Sequence, residues 1–152
     1  MLLNPGLGFK VAPEATTLLE SLGSAKVGVI AVAGKYRTGK SFLLNRILLE
    51  QYENKGFGVG PTINPCTKGL WIWSKPIELT DVKGVPFKCL IVDSEGIGAF
   101  NEDANHDTRI FLLALLLSSY FVYNSMGTID ENALQNLSLI INLSNQIQVK
   151  AS

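Results

Sequence analysis

Apolar runs and helical periodicities alternate along this chain. Residues 27–33 (VGVIAVA) form a nearly continuous apolar run rich in β-branched residues, which predicts a strand buried on both faces of a parallel sheet. Residues 87–92 and 120–123 are shorter runs of the same character, and residues 70–73 also indicate a strand. The pattern therefore predicts four core strands.

Helices and loops are predicted between these strands. Apolar residues recur at helical spacing in residues 13–22, 40–50, 108–117 and 130–147. Glycine and polar residues indicate loops or turns at residues 34–39, 56–69, 81–84 and 93–107. Because strands and helices alternate, the expected fold is α/β, with a mostly parallel sheet flanked by helices.

The composition narrows the class of protein. The chain has 152 residues, of which 47% are apolar, so we expect one domain with one hydrophobic core. Lysine and arginine number 13, as do aspartate and glutamate. This balance lacks the basic excess of nucleic-acid-binding proteins, so neither DNA nor RNA is the expected partner.

The cysteines and the hydropathy of the chain indicate in which cellular compartment the protein is expected. Cys66 and Cys89 lie far apart and form no metal-binding spacing, which predicts neither a zinc site nor a disulfide framework. The longest apolar stretch, residues 110–117, is about half the length of a membrane span, and the N-terminus lacks the pattern of a signal peptide. A cytoplasmic protein is the expectation.

One motif carries most of the chemistry. It reads Gly34, Lys35, Tyr36, Arg37, Thr38, Gly39, Lys40 and Ser41, which matches the phosphate-loop pattern GxxxxGK[ST] without a gap. The glycines would let backbone N–H groups approach phosphate oxygens. Lys40 would reach the β- and γ-phosphates, and the hydroxyl of Ser41 would ligate Mg²⁺. The motif follows a predicted buried strand and begins a helix, which is the context it requires.

A second element would complete the site. Asp93 and Gly96 form a DxxG sequence directly after the predicted strand at residues 87–92. Asp93 would hold Mg²⁺, through water, and the N–H group of Gly96 would contact the γ-phosphate. Thr67, in the preceding loop, is a candidate second hydroxyl ligand to Mg²⁺. Its alternative role is that of a solvated loop residue.

These segments resemble the guanylate-binding-protein and atlastin family of large, dynamin-related GTPases. The similar stretches are GKYRTGKSFLLNRIL, CTKGLWIW, DSEGIG and SSYFVYNSMGTID, and the guanylate-binding-protein branch is the more similar of the two. The resemblance implies a P-loop GTPase that binds and hydrolyses GTP with Mg²⁺. It also implies a nucleotide-dependent homodimer and, in full-length members, membrane association through regions outside this chain.

The resemblance also implies roles for individual residues. Arg37 would be an internal arginine finger that stabilises charge in the transition state, where the plainer alternative is a solvated loop arginine. Glu95 would help to order the attacking water, and Thr67 would contribute to catalysis. One position departs from the family pattern. Pro65 stands where animal guanylate-binding proteins have a serine that relays a proton, so that relay cannot operate here.

Selectivity for guanine comes from the resemblance alone. The Arg-Asp pair with which the family reads guanine has no counterpart in residues 1–152, so we expect a GTPase domain that is partial on its C-terminal side. Two alternatives stay open. The chain could belong to an ATP-using P-loop protein, or it could be a non-catalytic fragment that binds nucleotide or a partner.

Overall fold

The computed structural model describes residues 2–4, 8–35, 37–50, 56–57, 69–94, 96, 104–125, 127–128, 131, 134–135, 138 and 142. The strands are β1 (Leu2–Asn4), β2 (Gly8–Lys10), β3 (Val27–Gly34), β4 (Leu70–Ile72), β5 (Ile77–Thr80), β6 (Pro86–Ser94) and β7 (Tyr120–Asn124). The helices are α1 (Pro13–Ser21), α2 (Lys40–Leu43) with a π-helical continuation (Leu44–Leu48), and α3 (Ala104–Leu117).

Three adjacent strands of the main sheet are parallel. β3 lies between β6 and β7 and is parallel to both. β4 and β5 pair in antiparallel fashion with β6, in succession along its length. The expected α/β sheet is therefore confirmed, with an antiparallel edge on a parallel core.

Helices cover both faces of this sheet. On one face, Val32 and Ile91 pack with Leu44 and Leu49, which lie on or directly after the π-helical segment. On the other face, Ala31 and Val92 pack with side chains of α3, Ile110 and Ala114. Neighbouring strand residues point to opposite faces, so a strand covered on both sides must be apolar throughout. This arrangement explains the continuous apolar run in β3.

The four predicted strands are confirmed as β3, β4, β6 and β7, but two shorter features were not predicted. One is the β1–β2 hairpin. The other is β5, whose residues Glu78, Leu79 and Thr80 are exposed. An exposed edge strand needs no apolar alternation, so its pattern resembles that of a loop.

The predicted helices are present with two differences. The regular α-helix after the phosphate loop ends at Leu43 and continues as a π-helix to Leu48. The helix α3 begins at Ala104, so residues 104–107 are helical, contrary to the predicted loop at 93–107. Polar residues in the first turn of a helix do not prevent it from forming, and the apolar pattern alone marked the start too late.

The last predicted helix, residues 130–147, is confirmed at the described positions, which are Glu131, Leu134, Gln135, Ser138 and Asn142. The predicted loop at residues 56–69 lies outside the described residues except for Gly56, Phe57 and Gly69. Within the described part of the chain, no helix combines the length and hydropathy needed to span a membrane.

Asp81 organises the turn between β5 and β6. Its Oδ1 accepts hydrogen bonds from the backbone N–H groups of Lys83 and Val85, at 2.8 and 2.9 Å. Its Oδ2 accepts from Nζ of Lys26 at 2.9 Å, and this bond links the turn to the residue before β3. The bond from Lys26 and those from the backbone lower the pKa of Asp81 from its usual 3.8 to about 2.

Asp81→Asn should destabilise the chain in a pH-dependent way. A carboxylate whose pKa is lower in the folded state contributes stability above its unfolded pKa and loses it as the pH falls through the folded pKa. The difference in free energy of unfolding between the parent and the variant should therefore be largest above about pH 4 and shrink toward pH 2. Urea unfolding at several pH values would measure it. Glu78→Gln, which removes an exposed carboxylate from β5, is the control, and a difference that does not vary with pH would contradict the role of Asp81.

Candidate phosphate-binding site

The candidate site lies where three parallel strands end. β3 ends at Gly34, β6 at Ser94 and β7 at Asn124, and the register pairs Val32 with Asp93 and Gly34 with Asn124. The carboxyl ends of parallel strands meet at one edge of a sheet, which is where α/β proteins bind ligands. The phosphate loop therefore lies between the ends of β6 and β7.

Hydrogen bonds inside the loop converge on one carbonyl oxygen. The oxygen of Lys35 accepts from Oγ1 of Thr38 at 2.9 Å and from Nζ of Lys40 at 3.0 Å. Lys40, the first residue of α2, is only 6% exposed. Burial lowers the pKa of Lys40, and the nearby charge of Asp93 opposes that effect. The positively charged side chain of Lys40 is thus held within the loop with little access to water.

The two glycines of the motif serve different needs. A Cβ atom on Gly34 would lie 2.0 Å from the backbone oxygen of Asn124, so the close approach of β7 excludes any side chain there. A Cβ on Gly39 would meet nothing within 4 Å, but its φ of +81° is left-handed. The expected reason for both glycines was room for phosphate. The structure adds two further reasons: strand packing together with a φ of +152° at Gly34, and backbone conformation alone at Gly39.

Arg37 lies in the loop with an unusual backbone. Its φ is +61°, and its side chain is exposed. A left-handed conformation costs a residue with a Cβ roughly 1–2 kcal/mol, and such strain is concentrated at functional sites. Arg37 is therefore an exposed loop residue whose backbone conformation is strained.

A carboxylate and a hydroxyl complete the described part of the site. Asp93, near the end of β6, is fully buried, and its Oδ2 accepts a hydrogen bond of 2.5 Å from Oγ of Ser41. Gly96, two residues beyond the strand, is also buried. Hydroxyl and carboxylate oxygen atoms are the ligands that Mg²⁺ prefers, so this pair is chemically suited to that ion. Among the described residues, no group of three His, Cys, Asp or Glu side chains is placed to hold a metal.

The family of the chain follows from its similarity to known proteins. Residues 7–152 match the family model described as guanylate-binding protein, N-terminal domain. This chain belongs to that family. It is 41% identical over 143 residues to guanylate-binding protein 1 of Chlorocebus aethiops and 40% identical over 141 residues to human guanylate-binding protein 3, which is 93% and 92% of this chain. Mouse guanylate-binding protein 7 is 40% identical over 144 residues, 94% of the chain.

The match covers only part of each relative. The aligned region is 23%, 22% and 21% of these three guanylate-binding proteins, so the chain spans less than a quarter of their length. The resemblance to the family is thus confirmed for the N-terminal domain.

The structure describes most of the residues that were predicted for the site of this family member. The residues that it describes at the site are Gly34, Lys35, Arg37, Thr38, Gly39, Lys40, Ser41, Asp93 and Gly96. Tyr36, Thr67 and Glu95 lie outside the described residues, as does Pro65. The functional roles of all the site residues stay predictions.

Two asparagines that the sequence did not single out contact the site or its helix. Nδ2 of Asn124 donates to the carbonyl oxygen of Thr38 at 2.9 Å. In the π-helical segment, Asn45 donates to the oxygen of Phe57 at 2.9 Å and accepts from its N–H group at 2.7 Å. The one available signal for Asn124 was a polar residue at the end of an apolar strand, at the edge that carries the motif.

Gly34→Ala should destabilise this guanylate-binding-protein domain more than Gly39→Ala. At Gly34 the new Cβ would overlap backbone of β7, which cannot move without breaking strand pairing. We expect a loss of about 3 kcal/mol or more. At Gly39 only the left-handed backbone opposes alanine, at roughly 1–2 kcal/mol. Denaturant unfolding of both variants would measure the difference, and equal losses would show that strand packing does not set the requirement at Gly34.

Proposed function

We propose that this chain binds GTP with Mg²⁺ through residues 34–41, and that the protein hydrolyses the bond between the β- and γ-phosphates to yield GDP and phosphate. The observation that carries the proposal is the meeting of Lys40, Ser41 and Asp93 at the end of β3. The name of the relatives, guanylate-binding protein, supports a guanine nucleotide as the ligand.

Lys40 is suited to hold phosphate because it is buried. Its ammonium group donates to a single described carbonyl oxygen, that of Lys35. A triphosphate would offer charged oxygen atoms instead, and charge-assisted hydrogen bonds are about twice as strong as neutral ones. Where water is largely excluded, this gain is larger than at an exposed surface.

Ser41 and Asp93 are the residues that would hold Mg²⁺, with Thr67 proposed as a further ligand. Bound Mg²⁺ would neutralise charge on the phosphate oxygens. The hydroxyl of Ser41 would turn from Oδ2 of Asp93 to ligate the ion. Asp93 would act through a water molecule, and the buried N–H group of Gly96 would contact the γ-phosphate.

The catalytic roles would fall to Arg37 and Glu95, with a contribution from Thr67. Arg37, an exposed residue of the loop, would move its guanidinium group onto the phosphates as charge develops in the transition state. Glu95 would help to order the attacking water. We also propose a nucleotide-dependent homodimer, a cytoplasmic location, and membrane association only through other regions of the full-length protein.

Two alternative functions predict different experimental results from this proposal. An ATP-using protein would bind labelled ATP at least as well as labelled GTP, so competition between the two nucleotides separates the first rival. A non-catalytic fragment would bind nucleotide but release no phosphate during a single turnover.

Lys40→Ala should weaken binding of a labelled GTP analogue by at least a hundredfold, about 2.7 kcal/mol. The physical reason is the loss of a desolvated positive charge beside the phosphates. Lys26→Ala is the matched control, because Lys26 precedes β3 and pairs with Asp81 at the other end of the strand. Fluorescence titration would give both dissociation constants. An unchanged constant in Lys40→Ala would refute the assignment of the loop.

In a version of the protein that carries the complete GTPase domain, Arg37→Ala should slow hydrolysis far more than it weakens binding. An arginine finger acts on transition-state charge, and its loss can cost on the order of a thousandfold in turnover. Arg46→Ala, which removes an exposed arginine from the π-helical segment, is the control. Single-turnover rates with GTP bound to saturation would test this, and a decrease of less than about threefold would exclude the finger role.

A further inference from the structure

Strand β7 contacts the phosphate loop at two points. Its last residue, Asn124, pairs with Gly34 at the start of the loop and leaves no space there for a side chain. The side chain of the same residue reaches Thr38, near the end of the loop, at 2.9 Å from its carbonyl oxygen and 3.3 Å from its hydroxyl. One asparagine therefore contacts the loop both at its start and near its end.

A chain of hydrogen bonds leads from Asn124 to the buried cation. The hydroxyl of Thr38 accepts from Asn124 and donates to the carbonyl oxygen of Lys35, which a hydroxyl can do at the same time. That oxygen also accepts from Nζ of Lys40. Asn124 on β7 thus fixes the position of the Thr38 side chain. Thr38 shares its acceptor with Lys40, the residue that would bind phosphate.

The bond to the Thr38 carbonyl also orients a backbone donor. Thr38 and Gly39 share one planar peptide unit, and the chain has no cis peptide bond among its described residues. In a trans peptide the carbonyl oxygen and the next N–H group point in opposite directions. Holding the oxygen of Thr38 against Asn124 therefore directs the N–H group of Gly39 away from β7. Glycine has backbone freedom at that position, so this contact limits rotation of the peptide unit.

We propose that Asn124 is a positioning residue of the phosphate loop: its amide fixes the Thr38–Gly39 peptide and the Thr38 hydroxyl in the arrangement that receives the phosphates. This inference rests on the proposed binding of nucleotide to the loop. In this role Asn124 would contact neither the phosphates nor the base. Its effect must therefore be the same for any nucleoside triphosphate that the loop accepts.

Asn124→Ala should raise the dissociation constants for labelled GTP and labelled ATP analogues by the same factor, about tenfold or more. Fluorescence titration with each analogue, together with urea unfolding of the same samples, would measure binding and stability separately. Ser125→Ala, at the adjacent exposed position, is the matched control and should leave both constants unchanged. If Asn124→Ala does not fold, Asn124→Asp keeps the size of the side chain, replaces its donor with an acceptor, and should weaken binding at least as much.

The outcomes separate this inference from the function on which it rests. Failure of the unsubstituted chain to bind either nucleotide would refute the proposed function and the inference with it. Binding that is lost in Lys40→Ala but stays within twofold of the parent in Asn124→Ala would overturn the positioning role alone. A variant that loses stability without losing affinity would show that Asn124 only holds the end of the sheet. A change in the ratio of GTP to ATP affinity would show contact with the base, which also contradicts the proposal.

Discussion

The parallel pairing of β3 with β6 on one side and β7 on the other is the constraint on which the site depends. It places Asp93 beside Val32, and Asn124 beside Gly34, at one edge of the sheet. The phosphate loop leaves β3 between these two residues and contacts both. A shift of either neighbour by one residue would turn its side chains to the opposite face, so the register of the strands fixes the geometry of the loop.

This constraint explains why the site tolerates buried charge. Lys40 and Asp93 are both removed from water, and an isolated buried charge would be strongly unfavourable. Each charge is instead held by a polar partner from the loop: Lys40 by the oxygen of Lys35, and Asp93 by the hydroxyl of Ser41. The strands supply the position, and the loop supplies the hydrogen bonds that make burial possible.

Much of this arrangement was predictable because its signals are local. The run at residues 27–33 and the adjoining GxxxxGK[ST] pattern identify β3 and the phosphate loop within one continuous stretch. The contacts of Asn124 were not predictable in this way, because its partner Thr38 lies 86 residues earlier. The same holds for β5, whose exposed residues are determined by pairing with β6 rather than by burial. The π-helical segment was not predictable either, because it depends on packing. Two neighbouring residues are both buried there: Leu44 packs against the sheet, and Asn45 is hydrogen-bonded to Phe57.

The hydrogen bonds of the loop also determine which contacts a ligand would have to replace when it binds. The ammonium of Lys40 and the hydroxyl of Ser41 already have acceptors within the chain. A phosphate or a metal ion would replace those acceptors rather than add to them, so the gain is the difference between a charged ligand and the groups it displaces. The bond from Asn124 to the carbonyl oxygen of Thr38 is different, since neither atom would have to leave the other for a ligand to bind. If the loop is to keep its shape while Lys40 and Ser41 change partners, other hydrogen bonds must stay in place. The contact between β7 and Thr38 meets that need.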